Sequence, residues 1–248
     1  MTTRYRNPPL LEAACEFQFR LAEPWDEAIR ERFHDRIRAE YPNHGRSVRQ
    51  DVESTPIADD QGVGQTINLS TTEITVYTAI DRRTFVQLAP DTLTVNVTTP
   101  YPSWSGVRPR IEEALQALTA VVRIEALTMA RLVYIDRFVL PLGAAIDRYF
   151  TFRPHLAPPF PWQQADLYLG LHADESEGGA YTIELRRARE DSSEIDVYLM
   201  RSEYAIARDL SMDEGLAGID RAHERINELF EACITDEMRA VFDAEGGA

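Results

Sequence analysis

The chain has no lysine: every one of its 26 basic residues is arginine. A phosphate loop of the form G-x-x-x-x-G-K-[ST] is therefore impossible, and "GVG" at 62–64 reads as a turn without the rest of such a loop. Cysteine is nearly missing too. Cys15 and Cys233 both lie in apolar-patterned segments, where a small buried hydrophobe is the expected role in preference to a disulfide partner or a nucleophile. There is no G-x-S-x-G nucleophile elbow and no low-complexity run. No apolar stretch approaches the roughly 20 residues that a membrane span needs, and the first residues hold no apolar signal core. The expected address is cytoplasmic.

Positive charge is in short supply. The 26 arginines face 41 acidic residues, for a net charge of −15. Residues 1–127 carry 14 basic and 18 acidic side chains, whereas residues 128–248 carry 12 and 23, so the second half holds −11 of the total. Such a surface repels a phosphate backbone and attracts a basic or arginine-rich protein partner. The preference for arginine over lysine is explained first by GC-rich coding; recognition of carboxylate or phosphate would require the arginines to cluster.

What is present is the pattern of a folded α+β protein, with 44% apolar and 27% charged residues over 248 positions. "LLEAACEFQFRL" alternates Cys15, Phe17, Phe19 and Leu21 with polar neighbours and predicts a half-buried strand. Ile29, Phe33, Ile37 and Tyr41, four apart, predict an amphipathic helix closed by Pro42, with Arg30, Arg32, Arg36 and Arg38 on its solvated faces. From Val48 to Thr99, five short β-prone runs separated by "DDQG", "TT", "DRR" and "PD" predict an antiparallel meander. "RPRIEEALQALTAVVRIEAL" then predicts a helix with Pro109 near its first turn and Ile111, Leu115, Leu118 and Val122 on one face.

The second half runs a similar course. "MARLVYIDRFVLP" predicts a strand with Leu132, Tyr134, Asp136 and Phe138 on one face and Arg131, Val133, Ile135 and Arg137 on the other. A short turn at "GAAIDRYF", a proline-rich connector, three more strands and a closing helix follow, the helix burying Ile219, Ile226, Leu229, Phe230 and Cys233. The expectation is two similar halves, 1–127 and 128–248, each strand-helix-meander-helix with the first helix of the second half shortened. That order is compatible with a duplication like that of TATA-binding folds.

The stretch closest to known chemistry is "HERIN", one substitution from the zinc-protease signature H-E-x-x-H. Asn227 occupies the place of the second histidine and is a poor zinc ligand, and no third ligand is readable by spacing. His223 and Asn227 are therefore expected to make a helix-face hydrogen bond beside the apolar stripe, and no metal or cofactor is expected. Arg82 and Arg83 in "DRR", and Arg186, Arg187 and Arg189 in "LRRAR", form the basic spots. Arg187 and Arg189 share a strand face and would grip an acidic ligand or RNA; pairing with nearby carboxylates is the simpler role. Tyr101 and Trp104 in "PYPSWSG", with Phe160 and Trp162 in "PPFPW", stand in rigid loops that either plug a core edge or form a contact surface.

"YRNPPLLEAACEFQF", "VQLAPDTLTVNVTTPYPSWSGVRPRI", "LVYIDRFVLP" and "AHERINELFEACITDEMRAVF" together resemble a sporadically distributed, uncharacterised family of prokaryotic proteins of about this length. The resemblance covers essentially the full chain. Its most specific parts are the tyrosine-proline-tryptophan stretch and the Leu132-x-Tyr134-x-Asp136-Arg137 strand, in which the family often has Asn where this chain has Asp136. It implies that His223 belongs to a closing structural helix, and the patchy distribution implies the setting of defence or toxin–antitoxin genes; it supplies no activity or catalytic residue.

The resulting expectation is a non-enzymatic cytoplasmic protein-binding or regulatory module, an accessory or neutralising subunit, meeting a basic partner; self-association as a homodimer stays open. Two alternatives stand beside it. One is a nucleic-acid binder using a sheet face lined with Arg82, Arg137, Arg187 and Arg189. The other is an enzyme or nucleotide sensor with a pocket between the halves that holds Trp104, Tyr134 and Arg137.

Overall fold

Alternating burial of Ala13, Cys15, Phe17 and Phe19 makes Leu10–Leu21 a strand, β1, and every later element is arranged around it. The computed structural model describes residues 5–59, 62–154, 166–176, 178–188 and 194–243, and the side chains of 49–70 stay outside that description. Within these limits the chain runs β1, α1 (Ala28–Ile37), β2 (Asn43–Asp59), β3 (Gly62–Thr78), β4 (Thr84–Leu88), β5 (Thr92–Thr98), α2 (Trp104–Thr119) and β6 (Ile124–Pro141). A 3-10 turn at Ile146–Arg148 precedes β7 (Tyr168–Asp174), β8 (Ala180–Ala188), β9 (Ile195–Leu210), α3 (Met212–Cys233) and α4 (Asp236–Asp243). The result is a mixed α/β fold, with four helices and one nine-stranded sheet in the order β2-β3-β4-β5-β1-β6-β9-β8-β7. Each neighbouring pair is antiparallel.

β1 and β6 pair at the centre, with Cys15 opposite Leu132 and Glu16 opposite Arg131, so residues 1–127 and 128–248 contribute to one sheet. The boundary at 127/128 falls inside β6. Strand propensity in "RIEAL" explains the shift: Ile124 and Leu127 belong to β6, while α2 ends at Thr119. At its other end α2 begins at Trp104, ahead of the expected start, and holds Pro109 within it.

Two further expectations change. "TT" at 71–72 is no break, because "GQTINLS" and "EITVYTAI" are parts of one 17-residue strand, β3, whose threonines are good strand formers. The chain also closes with two helices, α3 and α4, separated by the extended Ile234. The proline-rich connector from residue 155 and Arg189 lie outside the described residues.

The helices bury their apolar stripes on one face of the sheet. Phe17, Leu88, Val95 and Leu132 meet Phe33 of α1, Ile111, Leu115 and Leu118 of α2, and Ile219 and Ile226 of α3 in one core. A second core gathers Phe138, Phe150, Tyr198, Met200, Cys233, Met238 and Phe242. α3 starts from a capping box in which Ser211 and Glu214 satisfy each other's backbone N–H groups, at 3.3 and 2.8 Å. It approaches the sheet closely because Gly215 has no side chain: a Cβ there would sit 2.3 Å from Leu127 Cδ1.

The other face of the sheet is polar. Glu16 and Arg131 pair at 2.7 Å, Arg131 reaches Glu203 at 3.7 Å, and Asn96 donates to Glu12 at 2.6 Å while accepting from Gln87 at 2.8 Å. Among the described residues no helix is long and apolar enough to cross a membrane.

Candidate functional site

Strand alternation places Tyr134 of β6 on the inner face, opposite Ala13 of β1 and Ser202 of β9. α3 passes above it. His223 brings its Nδ1 within 2.7 Å of the Tyr134 hydroxyl, and Tyr101, in the loop before α2, brings its own hydroxyl to 3.3 Å. When Tyr101 donates to Tyr134 and Tyr134 donates to Nδ1, all three groups are satisfied. The first residue of α2, Trp104, stacks on the imidazole with centroids 4.5 Å apart and planes at 7°. Its indole N–H donates to Asp220 at 3.0 Å, and Arg108 donates to both oxygens of the same carboxylate at 3.0 and 3.1 Å. Arg108 also reaches Glu112 one turn along at 3.0 Å. Asn227 donates to the His223 carbonyl at 2.6 Å.

Burial sets the charge state of this cluster. It lowers the His223 pKa to about 4, against a smaller opposing pull from Asp220, and it raises those of Tyr101 and Tyr134, that of Tyr101 to about 12. Around neutral pH, then, imidazole and phenols are neutral, and the two phenols and Nδ1 form one hydrogen-bonded chain. Such a set clamps α2 and α3 onto the central strand; it lacks the imidazole poised near neutral pH that acid–base work calls for. Cys15 lies on the same inner face with its thiol pKa pushed up by burial, so its thiolate is suppressed as well.

Of the residues singled out by sequence, the structure thus unites Tyr101, Trp104, Tyr134, His223 and Asn227. The expected helix-face hydrogen bond of His223 and Asn227 is present. Arg137 does not join them: it is paired with Leu199 and Arg186 lies beyond on the same, opposite face, because odd and even positions of a strand point apart. Arg187 stands on the inner side, in register with Tyr198 and Phe138, and forms an ion pair with buried Asp196. Arg82 sits in the β3–β4 turn at φ 55°. Arg82, Arg137 and Arg187 therefore do not line one sheet face, and Tyr134, Trp104 and Arg137 do not share one pocket.

Several residues of consequence were not singled out. Asp220 and Arg108, whose ion pair joins α3 to α2, are two of them. Arg30 was assigned to a solvated face yet is 6% exposed, donating to Thr75 Oγ1 at 2.8 Å and to the carbonyls of Leu88 and Glu73 at 3.0 and 3.1 Å. Asp136 had a visible signal, an acid in the middle of an apolar strand face; it is 4% exposed, and burial raises its pKa to about 7.

No family model matches the chain, and no curated protein matches it. A solved structure, that of the di-domain ARO/CYC StfQ from the steffimycin biosynthetic pathway, aligns over 94% of this chain and 97% of its own. The identity is 10% and the TM-score 0.17, too low to carry any argument about fold or function.

Proposed function

We propose that this protein is a non-enzymatic binding module that recognises a basic protein through the ribbon formed by β2 and β3. The observation that carries this reading is the register of β3: it pairs with β4 only from Thr75 to Thr78, so residues 62–74 are paired with β2 alone. At about 3.3 Å per residue, the pairs from Ser47–Ile74 to Asp59–Gly62 extend roughly 40 Å past that junction. A two-stranded ribbon is at best marginally stable by itself, so one this long gains from a surface to lie against. Its composition favours a basic one: residues 47–74 hold Arg49 against Asp51, Glu53, Asp59, Asp60 and Glu73. A net charge of −15 would steer such a partner from a distance.

The neutral, hydrogen-bonded cluster around His223 supports the non-enzymatic part of the reading. The ion pairs of Arg131 and Arg187, and the separation of Arg137 from Arg187, weigh against a phosphate-binding sheet face. The duplication belongs to this proposal too: β2-β3-β4-β5-β1 and β6-β9-β8-β7 are meanders folded back beside their first strand, with α2 and α3 following β5 and β9. Membership of the resembled family, and its defence or toxin–antitoxin setting, rest on the sequence resemblance alone.

The test is a shortened ribbon in which Arg49 is joined to register partner Thr72 through an Asn-Gly turn. Full-length and shortened chains are each purified from the native host. A basic protein held stoichiometrically by the full chain, released by salt and absent from the shortened chain, is the expected result. Identical partners on both chains, or nucleic acid as the retained species, would overturn the proposal.

A further inference from the structure

The two outer strands of the sheet are guarded unequally. β2 carries Arg46, Arg49, Asp51, Glu53, Pro56 and Asp59, charges and a proline of the kind that keep a sheet edge from pairing with another chain. β7 has no arginine and no proline, Asp174 is its one carboxylate, and among the described residues it pairs with β8 alone. Its inner face is apolar and open. Leu171 is 51% exposed, although its register partner Ile183 is only 1% exposed. Leu171, Ala173, Tyr181, Ile183 and Leu229 line a groove of about 300 Å³ between this edge and α3. Arg225 and Glu228 at its rim pair with each other at 2.8 Å, so the rim holds no unbalanced charge that would select an ionic occupant.

We propose that β7 pairs antiparallel with β7 of a second copy, in a twofold dimer whose sheet runs unbroken through both chains. The strand is complementary to itself: a twofold axis at Leu171 gives all 7 residues a partner. Residues opposite each other in such a pair share a face. On the inner face Leu171 meets the partner's Leu171, and Leu169 meets the partner's Ala173, apolar against apolar. On the outer face Gly170 meets the partner's His172, and Tyr168 meets the partner's Asp174, so no like charges are opposed. Moving the axis to Gly170 or His172 strands one end of β7 without a partner, and an axis between residues sets inner side chains against outer ones. With the axis at Leu171 the two grooves share one apolar floor, and each Leu171 is covered by the other. A foreign strand would have to reproduce this apolar alternation, which β7 already carries. Each copy bears a charge of −15, so association is opposed in low salt and strengthens as salt screens the repulsion. That is the reverse of the response expected for a basic partner of the β2–β3 ribbon.

Sedimentation equilibrium of the purified chain at up to roughly 100 μM, in low and in high salt, tests this, since that range populates a dimer of micromolar Kd. The expected result is a monomer–dimer equilibrium that tightens as salt rises. Leu171→Arg puts two guanidinium groups side by side on the axis and should weaken the dimer about 100-fold. Tyr168→Asp, at a position 66% exposed, sets a carboxylate against the partner's Asp174 and should weaken it about ten-fold. Because Cys15 and Cys233 are buried, a short bismaleimide should join Leu171→Cys to its copy and leave Ile80→Cys, 69% exposed in the β3–β4 turn, as monomer. A chain that stays monomeric in both salts overturns the proposal. So does a dimer that neither charged variant weakens, or one that cross-links equally through position 80. Should Leu171→Arg fail to fold by circular dichroism, Tyr168→Asp and the cross-linking decide alone.

Discussion

Two inner-face residues titrate in opposite senses, and their opposition is measurable. The folded pKa of Asp136 is raised to about 7 from 3.8, so between those values the native state holds a proton that the unfolded chain has released. Stability then falls as pH rises through the window. His223 is the reverse case: its folded pKa is lowered to about 4 from 6.5, so there the unfolded chain holds the extra proton and stability rises with pH. The two slopes cancel between about pH 5 and 6. Removing either residue should expose the other. Asp136→Asn is expected to gain stability with rising pH, by up to about 1.4 kcal/mol per unit, and His223→Phe to lose it at a similar rate. Urea denaturation at three pH values in this range checks the signs; parallel curves for both variants would mean that neither group is coupled to folding. Asp136 could be suspected from sequence, an acid between Tyr134 and Phe138, whereas His223 is covered by Trp104, which arrives from the start of α2, far away in the chain.

At the level of elements, the sequence was most legible where one period dominated. β1 was readable to the residue from its alternation, and α1 from Ile29, Phe33 and Ile37, although the helix ends at Ile37 and not at Pro42, leaving Tyr41 beyond it. It was least legible where tertiary contacts override a local signal, and Arg30 shows why. Its position on α1 looked solvated, but β3 and β4 present the carbonyls of Glu73 and Leu88 and the hydroxyl of Thr75 at that point. Trp25 covers the guanidinium with its ring, 5.3 Å from the centroid. The arginine thereby ties the helix to the β3–β4 pair. Arg30→Leu would strip three acceptors of a charged donor while keeping apolar volume, at a cost of about 3 kcal/mol. A guanidinium chloride titration should show the midpoint shift with an unchanged slope. A loss below about 0.5 kcal/mol, the scale of a surface substitution, would mean that Arg30 is the solvated residue its spacing suggested.

For the whole molecule, the order of elements was legible but the closure was not. Alternation and turn residues mark where strands begin and end; they do not say that β1 pairs with β6, because both strands have apolar inner faces that would suit several neighbours. That one pairing makes the halves interdependent. The first core draws Phe17 and Phe33 from one half and Leu132, Tyr204 and Ile219 from the other, and the cluster on His223 spans Trp104 and Asp220 in the same way. A cut between α2 and β6 would expose a full edge of β1, remove the helix that covers it, and leave Asp220 without Arg108 and Trp104. Separately expressed fragments 1–121 and 122–248 are therefore expected to be unfolded or aggregated, and the intact chain should unfold in one transition. Tryptophan fluorescence and far-ultraviolet circular dichroism should give the same denaturant midpoint. Two resolved transitions, or a fragment with cooperative melting of its own, would show instead that the β1–β6 seam joins two independently stable units.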